Sequence, residues 1–210
     1  MNERTELINK FIEVKKYRTY LEIGAGQRDN FDQIILQNLY KVCVDPDPTT
    51  NATFKMSSDE YFKQLNHDVK FDIIFIDGLH ESNQVDNDIH NSLNHLNTNG
   101  VVLCHDCLPE YEMVQKYPRE SMEDAWYGDV WKSIFRLRIF RADVKVYTVQ
   151  LCTGIAIITK TLKTQPTLSI DEDLTWNYYL QNRNKFMNII TKEQIYEYLT
   201  HHENHNSNIR

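Results

Sequence analysis

The chain has 210 residues, 41% of them hydrophobic, and a formal net charge of −7. That length suits one domain with a full core, and no run of 18 apolar residues is present to span a membrane. Thirty Asp and Glu against 23 Lys and Arg argue against a general phosphate-backbone binder, so no nucleic-acid partner is expected.

The first residues, Met1 to Glu6, lack a basic-then-apolar signal pattern, which gives a cytoplasmic expectation. Leu7, Ile8, Phe11, Ile12 and Val14 then predict an opening helix over 5–15. Tyr20-Leu21-Glu22-Ile23 reads as a strand running into Gly24-Ala25-Gly26. Asn30 offers an N-cap to a helix around Phe31–Asn38. Lys41 to Val44 is a second strand, stopped by Asp45-Pro46-Asp47-Pro48. A helix near Ser58–Leu65 precedes the strongest strand, Phe71 to Asp77. Val85, Ile89, Leu93 and Leu96 give helical spacing over Ser82–Leu96, and Gly100 to Cys104 is another buried strand. Residues 107–128 are irregular and long enough to form a lid. A helix over Asp129–Arg138 follows, then strands Val144–Val149 and Ile155–Thr159 joined through Gly154.

This alternation predicts an α/β fold with a mostly parallel sheet covered on both faces. The last two strands lie too close together for a crossover helix and should pair antiparallel. Residues 1–160 read as the main body. Residues 161–210 read as a helical extension of the same domain, docking through Leu174, Tyr178, Tyr179 and Phe186. The closing His201-His202-Glu203-Asn204-His205 reads as a frayed polar terminus rather than a metal site. Cys104-His105-Asp106-Cys107 is formally C-x-x-C, but no second ligand pair completes a zinc site. Reduced, mostly buried thiols fit the four cysteines better.

In open α/β sheets ligands bind outside the carboxyl ends of the strands. That edge collects Glu22, Gly24, Gly26, Asp45, Asp77, His80, His105 and Asp106. Strand, G-x-G, helix, strand and a terminal acid about 20 residues on form a nucleoside-cofactor pattern, with Asp45 placed to accept ribose hydroxyls. A nicotinamide cofactor wants a small residue at position 29, whereas Asp29 would repel a pyrophosphate at a helix N-terminus. A nucleoside cofactor without phosphates is therefore expected.

The stretch Tyr20 to Gly26 resembles motif I of class I S-adenosylmethionine-dependent methyltransferases, which have a Rossmann-like, seven-stranded sheet with an antiparallel last strand. Phe75-Ile76-Asp77-Gly78-Leu79-His80, then Asp88, then Asn99 to Asp106 resemble a bacterial subfamily among sugar and polysaccharide O-methyltransferases. Gly128-Asp129-Val130-Trp131-Lys132 is similar to that group as well, and the resemblance spans roughly 17–160. It implies that Glu22, Gly24 and Gly26 hold the methionine end of S-adenosylmethionine and Asp45 its ribose, with Ser58 and Asp59 near the adenine. In macrolide deoxysugar O-methyltransferases of the same pattern, the positions of Asp77 and Asp106 bind a divalent metal, magnesium or manganese, and that of His80 is the base. His105 departs from an acidic residue there and stands as a tentative ligand or substrate contact. The implied reaction is methylation of a sugar hydroxyl.

Plainer readings stand beside these roles. Asp77 also fits a strand-end acid near the cofactor amine, His80 a helix cap, and His105 a neighbour of Asp106. Asp88 reads as a solvated charge or a brace for His80. Trp126, Tyr127 and Trp131 read equally as an acceptor groove or a helix-packing cluster. The other functions weighed are a non-carbohydrate O-methyltransferase, a non-catalytic cofactor-binding module and an NAD oxidoreductase. The oligomeric state stays open.

Overall fold

The computed structural model describes residues 2–36, 40–120, 125–165, 167–168 and 173–206, excepting the side chains of 202–206. The side chains of the terminal histidine cluster beyond His201 therefore lie outside the described set. The elements are α1 (Glu3–Lys15), β1 (Thr19–Ile23), β2 (Tyr40–Val44), α2 (Ser58–Gln64), β3 (Phe71–Ile76), α3 (Ser82–Asn94) and β4 (Leu96–Cys104). They continue with α4 (Trp131–Phe140), β5 (Val144–Val149), β6 (Ile155–Lys160), α5 (Trp176–Met187), β7 (Ile189–Ile190) and α6 (Lys192–Asn206).

The strands form one sheet in the order β2-β1-β3-β4-β6-β5-β7. All pairs are parallel except those of β6, which runs antiparallel to both β4 and β5. This is the Rossmann-like methyltransferase sheet that the sequence implied. The seventh strand is β7, added by the C-terminal segment beside β5. At the opposite edge only an isolated bridge, Val44 to Phe54, flanks β2.

Alternate side chains of each strand feed two cores. Leu21, Ile23, Ile74, Ile76, Val102 and Cys104 pack under α2 to α5. Tyr20, Ile73, Phe75, Val101 and Leu103 pack under α1 and α6. A strand buried on both faces has to be apolar throughout, and Phe71 to Ile76 departs from that only at Asp72. Asp72 is retained at the opposite end from the cleft, accepting the backbone N–H groups of Arg18 and Thr19. The extension joins the first core: Phe186 stacks on Phe135 with ring centroids 4.4 Å apart, and Tyr179 tilts against Trp131 at 4.9 Å.

The structure corrects three boundaries and one element. The helix expected around Phe31–Asn38 is a single 3-10 turn, Phe31–Gln33, whose Asn30 makes no capping bond; residues 37 and 38 lie outside the described set. The physical reason is α1, which already covers that face. Its Asn9 side chain donates to the Gln33 carbonyl and accepts from the Ile35 N–H, satisfying the backbone that a helix would have paired. Strand β4 begins at Leu96 rather than Gly100, across a register shift. Helix α3 ends at Asn94, and α4 starts at Trp131, because Asp129 is used as a cap elsewhere.

β1 lies between β2 and β3, so the chain reverses its direction of sheet growth between β1 and β3, and a crevice opens there. The turn after β1 stays close: Gly24 N–H donates to the Val44 carbonyl at 2.9 Å, and Asp77 N–H to the Ile23 carbonyl at 2.8 Å. Gly24 has φ +86°, and a Cβ on it would lie 2.0 Å from the Asp77 carbonyl oxygen. Gly26 has φ +47° but open space around it. Gly24→Ala should therefore cost on the order of 3 kcal/mol or more in urea unfolding, against about 1 kcal/mol for Gly26→Ala. Equal losses would show that the close approach at Gly24 is not what limits that position.

Candidate active site

The crevice has a volume of about 620 Å³ and is lined by the ends of β1 to β4 and the first turns of α1, α2 and α3. On the β1 side Glu22 is buried, accepting from Tyr20 Oη and, at 2.9 Å, from Asn30 Nδ2. Burial pushes its carboxyl up to about 7 even though those two bonds pull it down. Asp45, ending the next strand, accepts the N–H groups of Gly26 at 2.8 Å and Asp47 at 2.9 Å. These bonds fix its carboxylate at the mouth of the glycine turn.

The ends of β3 and β4 carry a compact charge cluster. His105 Nδ1 lies 3.1 Å from Asp77 Oδ1 and 3.2 Å from Asp106 Oδ1. Arg4 from α1 pairs with the other Asp77 oxygen at 2.8 Å. Burial opposes charge on the His105 ring, but its bonds to Asp106 and Asp77 prevail and push it up to about 12, so it is a cation at neutral pH. Burial likewise opposes charge on Asp77, and His105, His80 and Arg4 overcome it, holding that carboxyl well below the usual range. Thr153, on the β5–β6 connection, donates its hydroxyl to Asp106.

His80 completes the cluster. Its Nδ1 faces two acceptors, Asp106 Oδ2 at 3.3 Å and the Trp126 carbonyl at 3.4 Å. Its Nε2 stands 3.6 Å from Asp77 Oδ1, beyond hydrogen-bond reach. Burial opposes charge on this ring, but Asp77, Asp106 and the Trp126 carbonyl prevail and raise its pKa above the usual histidine value. Asp77, His80 and Asp106 each offer one ligand atom, all within 4.8 Å of one another. His105 is not in that set.

The segment after β4 folds back over this cluster and is pinned on both sides. Leu108 N–H donates to the Thr153 carbonyl, Tyr127 N–H to the Val114 carbonyl and Trp126 Nε1 to the Lys116 carbonyl. Trp126 stacks on the His80 ring at 5.2 Å. Gly128 lies so near that a Cβ would fall 1.8 Å from the His80 carbonyl oxygen. Asp129 accepts from Ser82 N–H at 2.7 Å and so helps to cap α3. Trp131, weighed above as an acceptor contact, is fully buried in the helix layer.

Residues 27–107 match the family model described as a methyltransferase domain. The fold is also shared with solved structures: an O-methyltransferase from Bacillus cereus in complex with SAH (13% identity, TM-score 0.58, covering 75% of this chain and 80% of that one); the O-methyltransferase TomG from Streptomyces achromogenes in complex with SAM (15%, 0.56, 75% and 79%); and the SAH-bound Podospora anserina methyltransferase PaMTH1 (17%, 0.54, 75% and 78%). No curated protein matches the chain by sequence. No helix among the described residues is long and apolar enough to cross a membrane.

Of the residues singled out in the sequence, Glu22, Gly24, Gly26, Asp45, Ser58, Asp77, His80, His105 and Asp106 all line this crevice. Asp59 does not: it is exposed and is linked to the crevice only through Gln84 Nε2 at 3.2 Å. Sequence reasoning missed Arg4, Asn30, Gln84 and Thr153, which arrive from distant segments without a motif. It also misread Asp88, which is buried rather than solvated and accepts from Gln84 Nε2 at 3.2 Å. The signal was available, because Asp88 shares the apolar stripe of Val85, Ile89 and Ser92 on α3.

Burial pushes the Asp88 carboxyl up to about 6, although Ser58 and Gln84 bond to it. The folded state therefore keeps this proton while the unfolded chain loses it near pH 4. The favourable contribution is complete below pH 4 and is lost as pH rises to about 6. Asp88→Asn removes this dependence. Between pH 4 and 7.5 its urea-unfolding stability should gain on the wild type by about 2 to 3 kcal/mol; parallel pH profiles would contradict the assignment.

Proposed function

We propose that this domain transfers the methyl group of S-adenosylmethionine to a hydroxyl oxygen, with a sugar hydroxyl as acceptor. The reading rests above all on His80, a half-buried imidazole that lines the crevice with Nδ1 3.3 Å from Asp106 Oδ2 and 3.4 Å from the Trp126 carbonyl. The crevice suits a nucleoside cofactor: Gly24 to Gly26 give close backbone approach, Asp45 stands where ribose hydroxyls donate, and Ser58 opens α2 nearby.

Methyl transfer to an alcohol is an in-line displacement by a poor nucleophile. His80 Nε2 removes the hydroxyl proton as the oxygen–carbon bond forms and the carbon–sulfur bond breaks. Asp106 stabilises the imidazolium that results and fixes the ring direction. The rest of the acceleration comes from alignment of oxygen, methyl carbon and sulfur. The carboxylates of Asp77 and Asp106 would hold a magnesium or manganese ion, which leaves the His80 imidazole free to act as the base. Such an ion would lower the hydroxyl pKa and direct the oxygen.

Support for a sugar comes from the resemblance in the D-G-x-H and H-D segments and from the aromatic character of the overlying segment. Tyr111 and Tyr117 are exposed there, and Tyr117 stacks on Trp126 at 6.3 Å. Aromatic faces of this kind pack on the C–H face of a pyranose, while the polar crevice edge meets its hydroxyls. A phenolic or other small-molecule acceptor is the competing reading. Calorimetry and turnover assays on His80→Ala test the base. Cofactor affinity should stay within about twofold while turnover falls roughly 10²- to 10⁴-fold. Full turnover in that variant would remove His80 from the role.

A further inference from the structure

The crevice is strongly acidic, which bears on how it receives a zwitterionic ligand. Glu22, Asp29, Asp45, Asp77, Asp88 and Asp106 line it, and among the described lining residues Arg4 is the one Arg or Lys. S-adenosylmethionine carries a sulfonium, an ammonium and a carboxylate. The two cationic groups suit these acids. The carboxylate would be repelled by them unless a cation receives it, and the crevice's other cation, His105, already bridges Asp77 and Asp106.

Arg4 is placed for that task. It comes from the first turn of α1 and reaches the gap between the ends of β1 and β3, bonding Asp77 there. Only one of its guanidinium nitrogens is engaged by Asp77, and its Nε is buried with no hydrogen-bond partner. Its helix is held in register by a buried network. Asn2 caps Thr5 N–H at 2.9 Å, the Thr5 hydroxyl bonds Asn30 Oδ1 at 2.7 Å, and Asn30 Nδ2 bonds Glu22 at 2.9 Å. The same asparagine thus ties the helix carrying Arg4 to Glu22, an acid placed for the ammonium.

We infer that Arg4 is the carboxylate receptor of this site, so that α1 forms part of the cofactor-binding surface. The inference rests on the cofactor reading above. A guanidinium presents paired donors matching the geometry of a carboxylate, and this one is partly exposed at the crevice with a single nitrogen paired to Asp77. Glu22 then takes the ammonium. The site therefore discriminates ligands by the carboxylate itself, and not only by the adenosine.

Calorimetry with S-adenosylmethionine and with decarboxylated S-adenosylmethionine tests this. The proteins are the full-length wild type, Arg4→Met and Arg4→Lys, each checked for an unchanged thermal transition. The wild type should prefer the carboxylated ligand. Arg4→Met should lose roughly 10- to 100-fold in affinity for it and with it the preference for the carboxylated over the decarboxylated ligand. Arg4→Lys should recover part of the loss. Equal weakening of both ligands in Arg4→Met would assign Arg4 to bracing Asp77 and overturn the proposal, as would unchanged affinity for both. If the wild type binds neither ligand, the cofactor reading itself falls, and this inference with it.

Discussion

Two carboxylates, Asp77 and Asp106, stand at the ends of adjacent parallel strands, near enough to share one imidazole nitrogen. Like charges in a partly buried place raise each other's cost, and desolvation adds to it. The edge is organised around meeting that cost. His105 bridges both acids, Arg4 takes the far side of Asp77, Thr153 donates to Asp106, and His80 lies against both. Each helper comes from a different segment, so the pair ties α1, the β5–β6 connection and the start of α3 to the centre of the sheet.

The same constraint shapes the elements around it. Gly24 is needed because the chain after β1 must pass against the backbone of Asp77. Gly128 is needed because the covering segment must reach the backbone of His80. Asp129 caps α3, the helix that starts just past His80, so the pinned segment and the imidazole are fixed by one set of contacts. A positioned base requires this kind of support, since its ring must hold both its angle and its tautomer.

Much of this was legible in the sequence. The strand runs Tyr20–Ile23, Lys41–Val44 and Phe71–Ile76 are apolar enough to announce buried strands, and the acids, histidines and glycines at their ends announce the crevice. The absent helix after Asn30 was not legible, because α1 and its Asn9 decide that segment from outside. Arg4 was invisible for a similar reason. Nothing local marks an arginine whose partner lies 73 positions away. Asp88 was misread because a charge was given more weight than its helical phase, although that phase placed it on the buried stripe. Trp131, which read equally as a groove residue or a packing residue, is the latter: helical spacing with Ile134 and Phe135 carries it into the core.

The central claim is that this crevice delivers a methyl group to a sugar oxygen. The most direct measurement incubates the protein with S-adenosylmethionine labelled in its methyl group, a panel of monosaccharide glycosides and a panel of phenols, and locates the label by mass spectrometry. The account predicts label on a single hydroxyl oxygen of a glycoside. Label on phenols alone would contradict the sugar assignment, and binding of cofactor without label on any acceptor would contradict methyl transfer itself.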